Sequence, residues 1–223
     1  MFKLRTRLFG ATFESTFPHP IAFNQPYLAK LGESLSQSLS PVGLTPNQIE
    51  CITTNVLFGY EVRFPLFRGN ANYSLNPQRL RLDFTNAVGP ADVTTIIDTV
   101  LKCLSPMDIP DGTNHFINVG RHTEFESPGD FEKFFSRETT QWKGDAVKHV
   151  GAILYLKLSE WPEEITVNIE PSIVISSGAF VSTRTVLRAP ETEKALTAET
   201  FRTVTDIFEK AVSECNLELV WPS

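Results

Sequence analysis

The stretch Thr123-Glu-Phe-Glu-Ser127 has a shorter counterpart near the amino terminus, Thr12-Phe-Glu-Ser15. Each phrase closes a segment in which polar and apolar residues alternate, as they do in a half-buried strand. Each is followed, within about ten residues, by a pattern typical of a helix. A strand that leads into a helix at two places predicts that one structural unit is used twice.

Three helices are predicted by apolar residues that recur with helical spacing. The first begins near Asn24, and its apolar stripe consists of Leu28, Leu31, Leu35 and Leu39. The second opens at Gly89-Pro90, and the last runs from about 197 to 215. Because each helix has one broad apolar face, we expect each to lie on a sheet.

Strands are predicted by a period of two. Arg79 and Arg81 alternate with Leu80 and Leu82, which indicates an antiparallel strand with one wet face. Residues 147–158 are nearly continuously apolar, which predicts a central strand buried on both sides. The chain therefore belongs to the α+β class.

The two halves share a further pattern. Asp98 and Lys102 have the same spacing as Asp206 and Lys210, and aligning these pairs also brings the apolar positions of the two helices into register. The two helices are offset by 108 residues and the two phrases by 112, and similar offsets across different elements favour an internal duplication.

Residues 105–112, with two prolines, two aspartates and a glycine, form the best linker candidate. We predict two tandem pseudo-repeats, at 1–105 and 112–223, packed together as one globular unit. Each has the element order β-α-β3/4-α, in which an antiparallel curved sheet carries helices on one face. This order resembles the folds of the TATA-box-binding protein and of the helix-grip lipid and hormone carriers. The resemblance covers most of the chain and no sequence motif, so it implies a layout and no function.

Composition limits the partners and the location. The net charge of −6 works against unselective adhesion to nucleic acid or to an anionic membrane. Cys51, Cys103 and Cys215 are odd in number and have apolar neighbours, which predicts reduced thiols. No apolar run approaches the ~18 residues of a membrane span, so we expect a cytoplasmic protein without a membrane partner.

Motifs of the common enzymes are missing from the sequence. It has no glycine-rich phosphate loop, no Gly-x-Ser-x-Gly, no His-Glu-x-x-His and no Cys-x-x-Cys. We expect no catalytic residue, no cofactor and no metal. His122, Glu124 and Glu126 share one face of a strand and could ligate a divalent cation or form a general base, but the sequence favours an ordinary solvated face.

A basic face is the better candidate site. Lys3 and the arginines Arg5, Arg7, Arg79 and Arg81 would share the sheet face that the helices leave open, if their strands are neighbours. We predict that the four arginines contact a macromolecular partner. An acidic protein is favoured over nucleic acid because aromatic residues do not alternate with the arginines.

Charge pairing is the other interpretation of this face, because Glu61 and Asp83 lie on it. We expect exchange of Arg79 and Arg81 for Glu to cost little stability. Leu82→Ala, a core truncation, is expected to cost roughly 2–5 kcal/mol.

The leading hypothesis is a non-enzymatic binding or interaction protein, of an adaptor, regulatory or toxin-neutralising type, that uses an open sheet face. The alternative is a helix-grip-like carrier or enzyme with an apolar cavity between sheet and helices, for which the 17 Phe are the available support. The sequence leaves the oligomeric state and the identity of the partner open.

Overall fold

The computed structural model describes residues 1–21, 24–44, 52–56, 59–87, 89–104, 114–127, 129–136, 151–157, 164–188 and 198–221. In these ranges the chain is a mixed α+β structure with one large, mainly antiparallel sheet. The predicted linker at 105–112 lies outside the described residues.

The strands, in chain order, are β1 (Phe2–Thr16), β2 (Ile52–Val56), β3 (Gly59–Leu66), β4 (Ala71–Asn76), β5 (Arg79–Ala87), β6 (Asn114–Phe125), β7 (Ala152–Lys157), β8 (Glu164–Pro171), β9 (Gly178–Arg188) and β10 (Leu217–Val220). The α-helices are α1 (Gln25–Leu39), α2 (Pro90–Leu104), α3 (Asp130–Phe134) and α4 (Ala198–Glu214).

The three long helices lie where the apolar spacing predicts them. Asn24 caps α1, and its side-chain oxygen accepts a hydrogen bond from the Tyr27 amide at 3.0 Å. The leucine stripe of α1 is buried. α2 begins at Pro90, a position where the missing amide hydrogen of proline costs nothing. In the described ranges, no helix combines the length and the apolar character needed to cross a bilayer.

The strand order is β2-β3-β4-β5-β1-β6-β9-β8-β7, and β10 pairs with β1. Pairing is antiparallel within β2-β3-β4-β5 and within β9-β8-β7. β10 runs parallel to β1, with Leu217 opposite Phe2. The two similar phrases, 12–15 and 123–127, lie at the ends of β1 and β6.

Two compact units divide the chain. Unit 1 contains Met1–Gly10, Asn118–Thr185 and Val204–Ser223, and unit 2 contains Ala11–Ile117 and Val186–Thr203. β1, β6, β9 and α4 each continue from one unit into the other, so neither unit consists of one sequence half. The predicted repeats at 1–105 and 112–223 stay a prediction.

The core of unit 2 lies between its strands and the helices α1 and α2. α2 packs on β5 and α1 packs beside α2. Buried side chains meet across the strands, with Phe64 opposite Tyr73 and Tyr73 opposite Leu82. Because side chains alternate between faces, the charged residues of β3 and β5 must lie on the face away from these helices.

In unit 1, an aromatic cluster joins β6 to α3. The ring of Phe125 contacts those of Phe131, Phe134 and Phe135, with centroids 6.0–6.1 Å apart. Phe2 of β1 contacts Phe125 and Phe134 edge-on. Such edge-to-face contacts add to the hydrophobic stabilisation that area burial supplies.

The predicted central position of the strand at 147–158 is wrong. The part that the structure describes, β7, is last in the strand order, and Ile153 and Tyr155 are 61% and 82% exposed. Leu154 and Leu156 lie opposite the buried Val167 and Ile165 and are half-buried. An apolar run shows that a strand can be buried, whereas its position in a sheet depends on which other strands pair with it.

Candidate partner-binding site

Arg79 and Arg81 lie on the polar face of unit 2, as the sequence predicts. They alternate with Leu80 and Leu82, which are buried toward the helices. We call this surface the ion-pair face; its charged members are Glu14, Glu61, Arg63, Arg79, Arg81 and Asp83. The two predicted arginines are thus brought together on β5.

Carboxylates from neighbouring strands surround the arginines of this face. Arg79 reaches Glu14 of β1 at 3.1 Å and Glu61 of β3 at 3.6 Å. Arg81 reaches Glu14 at 3.6 Å and donates to both oxygens of Asp83, at 2.7 and 2.8 Å. The charges therefore form a network across strands rather than separate pairs.

Glu61 is the most buried member of the ion-pair face, with a side chain only 7% exposed. Arg63 donates to it at 2.6 Å, and Arg79 approaches it from the other side. Burying a carboxylate without such partners would cost several kcal/mol of folding free energy, by the order of magnitude of ion desolvation. Three arginines and three carboxylates make the ion-pair face neutral, so the predicted basic character is balanced locally.

Hydrogen bonding and neighbouring charges both affect the pKa of Arg81. Its bond to Asp83, together with the negative charges of Asp83, Glu14 and Glu61, raises the pKa of the Arg81 guanidinium, although partial burial acts in the opposite direction. Asp83 also accepts a hydrogen bond from Thr12 at 2.8 Å. These contacts restrict the conformations that the Arg81 and Asp83 side chains can adopt.

Arg5 and Arg7 lie in unit 1, where they meet one carboxylate of β6 and one directly after it. Arg5 is 3.5 Å from Glu126, and the Nε of Arg7 donates to Glu124 at 2.8 Å. Lys3 is 3.9 Å from Glu218 of β10. Here too each cation has an acidic neighbour, and all of the side chains remain substantially exposed.

The predicted set His122, Glu124 and Glu126 does not act as one group, because Glu124 and Glu126 are engaged by arginines. His122 has other partners: its Nδ1 lies 2.9 Å from the Ser172 hydroxyl, and its ring stacks on Phe180 with a centroid separation of 4.5 Å. Within the described part of the chain, no three His, Cys, Asp or Glu side chains converge to hold a metal ion.

The tautomer of neutral His122 follows from the contacts of Ser172. The Ser172 oxygen accepts hydrogen bonds from the amides of Val174 and Ile175, at 3.2 and 3.0 Å. Its hydroxyl hydrogen is then available for Nδ1 of His122, which acts as the acceptor. Burial lowers the pKa of His122, although the nearby Glu170 acts in the opposite direction. By accepting the two amide hydrogen bonds, Ser172 caps the turn that follows β8.

Arg121 is a notable buried cation that the site prediction did not include. Its side chain is fully buried, and Nη2 donates to Glu209 of α4. The guanidinium carbon lies 4.1 Å from the ring centroid of Trp221, with Phe9 and Phe208 at 5.7 and 5.8 Å. Aromatic faces stabilise a desolvated cation.

Two of the three guanidinium nitrogens of Arg121, Nε and Nη1, have no hydrogen-bond partner among the described residues. Burial lowers the pKa of Arg121, partly offset by Glu209. The sequence does indicate that Arg121 is buried: side chains alternate along a strand, so Arg121 lies on the same face of β6 as the buried Val119 and Phe125. Its aromatic neighbours come from distant parts of the chain.

No protein-family model matches the chain, and no curated protein matches it significantly.

Proposed function

We propose that this chain is a non-enzymatic binding protein that engages a protein partner through the ion-pair face. The main support is the combination of order and exposure on that face. The side chains of Arg79 and Arg81 are both 37% exposed while their carboxylate partners hold them in place. Such a surface can meet a partner without first being rearranged.

Pre-ordering matters because association costs side-chain entropy. A free arginine loses roughly 0.5–1.5 kcal/mol when a partner immobilises it. Arg79 and Arg81 have already lost part of this freedom in the network. A guanidinium has five N–H donors, so contacts to carboxylates within the chain leave others for acceptors on the partner.

The charge balance favours a protein partner over nucleic acid. A polyanion binds by releasing counterions to a surface of net positive charge, whereas the ion-pair face is neutral and the chain carries −6. A protein surface of mixed charge can complement alternating arginines and carboxylates. We extend the proposal to Arg5 and Arg7, each of which is similarly paired and exposed in unit 1.

We also propose that the layout is a tandem pseudo-repeat, with a cytoplasmic location. In support, the first half gives the strand order β1-β5-β4-β3-β2 and the second gives β6-β9-β8-β7, so in both halves the last strand before a long helix pairs with the first strand. The cytoplasmic location is supported by Cys215, the one cysteine whose side chain is described. It is a free thiol, and burial raises its pKa. An experimental structure in which α2 and α4 fail to superpose along with their strands would refute the duplication.

The partner-binding proposal is tested by affinity capture from the native host, followed by titration of the captured protein against the full chain. We expect Arg79→Gln/Arg81→Gln to raise Kd by about tenfold or more, equivalent to about 1.4 kcal/mol. Added salt should weaken binding by the original chain. The matched control is Lys102→Gln/Arg202→Gln, which removes the same charge from helices α2 and α4. Equal affinity of the two double variants would contradict the proposal, and a stoichiometric small molecule in place of a protein would favour the carrier alternative.

Stability must be measured in the same variants. The network changes the expectation that Glu at positions 79 and 81 costs little, because two further carboxylates would lie beside Glu14, Glu61 and Asp83. Gln is therefore the better exchange. Cross-strand ion pairs contribute roughly 0.2–1 kcal/mol each, and we expect the Gln variant to lose about 1–2 kcal/mol. Leu82→Ala, at a fully buried position, should lose roughly 2–5 kcal/mol. Equal losses would mean that the arginines serve folding.

A further inference from the structure

Strand β7 combines an outer position with an apolar sequence. It is the last strand in the order beyond β8, so among the described strands it has a neighbour on one side only. An outer strand presents backbone N–H and C=O groups that can pair with another chain. Ile153 and Tyr155 project from it and are largely exposed.

Strand edges usually carry features that prevent such pairing, such as charges, proline or a bulge. The sequence of β7, Ala-Ile-Leu-Tyr-Leu-Lys, contains no proline, and its single charge, Lys157, lies at the carboxyl end. Its pairing with β8 is regular along its whole length. The strand is therefore chemically suited to accept another strand.

We propose that β7 of one copy pairs antiparallel with β7 of a second copy, about a twofold axis at Leu154. Antiparallel partners place opposite residues on the same face. In this register, Ile153 of each copy lies opposite Tyr155 of the other. On the second face, Leu154 lies opposite its own counterpart and Ala152 lies opposite Leu156. Every side-chain pair within Ala152–Leu156 is apolar.

Charge favours the same register. Lys157 falls opposite Gly151, which has no side chain, so the one charge of the strand meets neither an apolar partner nor its own counterpart. An axis at Tyr155 would instead place Lys157 opposite Ile153. A second copy thus complements the strand along its length.

A pair of six-residue strands buries less area than a standard stable interface of ~1,600 Å². The dimer is therefore expected to be weak and to depend on concentration. It involves neither the ion-pair face nor its arginines, so it is independent of the proposed function.

Analytical ultracentrifugation of the full chain over a concentration series tests the pairing. The original chain should show a reversible monomer–dimer equilibrium. Ile153→Lys should raise the dimer dissociation constant by about tenfold or more, since a lysine would face Tyr155 twice. Ile173→Lys is the matched control: Ile173 is 97% exposed in the β8–β9 turn, outside β7, and its exchange should leave the equilibrium unchanged.

The register is tested by rescue. Ile153→Lys combined with Tyr155→Glu places a lysine opposite a glutamate twice across the axis at Leu154, so the dimer should re-form and become sensitive to salt. With an axis at Tyr155, the two glutamates would face each other and no rescue would occur. A chain that stays monomeric up to its solubility limit, equal effects of Ile153→Lys and Ile173→Lys, or absence of rescue would each overturn the proposal. Circular dichroism of every variant verifies that the fold is intact.

Discussion

Single residues in this protein take their roles from the neighbours that the fold supplies. His122 illustrates this, because its spacing from Glu124 and Glu126 indicates a ligand set. In the structure, its partners are the Ser172 hydroxyl and the ring of Phe180 instead. Protonation would remove the acceptor at Nδ1 that the Ser172 hydroxyl uses.

The lowered pKa of His122 predicts a dependence of stability on pH. The unfolded chain binds a proton near pH 6.5, whereas the folded chain binds it only at lower pH. The contribution of His122 is therefore complete above about pH 6.5 and is lost as pH falls toward the folded pKa. The free energy of unfolding, measured with urea, should rise with pH across this range. His122→Gln should reduce this dependence on pH, and His19→Gln, at an exposed position, is the control that should leave it unchanged. Identical slopes in the two variants would contradict this assignment.

Arg121 predicts an asymmetry between the two partners of an ion pair. Arg121→Met removes a buried charge and two donor nitrogens without acceptors while filling the aromatic site, so the free energy of unfolding should be unchanged or rise by about 1–4 kcal/mol. Glu209→Gln leaves the buried cation with a weaker acceptor and should lose about 1–3 kcal/mol. Chemical denaturation of both variants measures the difference. A larger loss in Arg121→Met would mean that the cation itself is needed for stability.

At the level of elements, close backbone contacts limit the size of the side chain that a position can accept. The apolar pattern of the sequence does not reveal these limits. Gly178 begins β9 beside the end of β6. A Cβ atom at this position would overlap the carbonyl oxygen of Thr123 and lie 2.8 Å from the Ile175 side chain. A backbone carbonyl in a paired strand cannot move aside as the end of a flexible side chain can.

Two glycine-to-alanine exchanges should therefore have opposite signs. Gly178→Ala is expected to lose at least about 1–3 kcal/mol through this steric overlap. Gly32→Ala places a methyl group 3.5 Å from Phe64, an ordinary contact inside α1, and should gain about 0.5–1 kcal/mol. Thermal and denaturant unfolding of the two variants would decide the matter. A loss in Gly32→Ala would show that α1 packs more tightly on β3 than this distance indicates.

For the whole molecule, both units draw on both halves of the chain. Unit 1 takes its β1 segment from Met1–Gly10, and unit 2 takes Val186–Thr203 from the second half. Fragments 1–105 and 112–223 should therefore be largely unfolded alone, since each lacks strands that the other supplies. Circular dichroism and amide NMR dispersion of each fragment and of their mixture test this. A cooperatively folded single fragment would show that one half is self-sufficient.

The sequence by itself determined the elements. A stripe of leucines with helical spacing is a property of neighbouring residues, and it correctly predicted α1, α2 and α4. Alternation likewise predicted that Arg79 and Arg81 face away from the leucines of β5. These features follow from local geometry, so they can be predicted without knowing the rest of the fold.

Only the tertiary structure decided what those elements meet. Glu14 and Arg79 are 65 positions apart in the chain, and strand order brings them within 3.1 Å. The same order placed β7 last among the described strands, although its apolar run indicated a buried centre. Tertiary packing also brought Arg121 next to Trp221. The physical reason is that hydrogen bonding between strands is nearly independent of side-chain identity. Strand order is selected by the packing of all elements together, and no single segment encodes it.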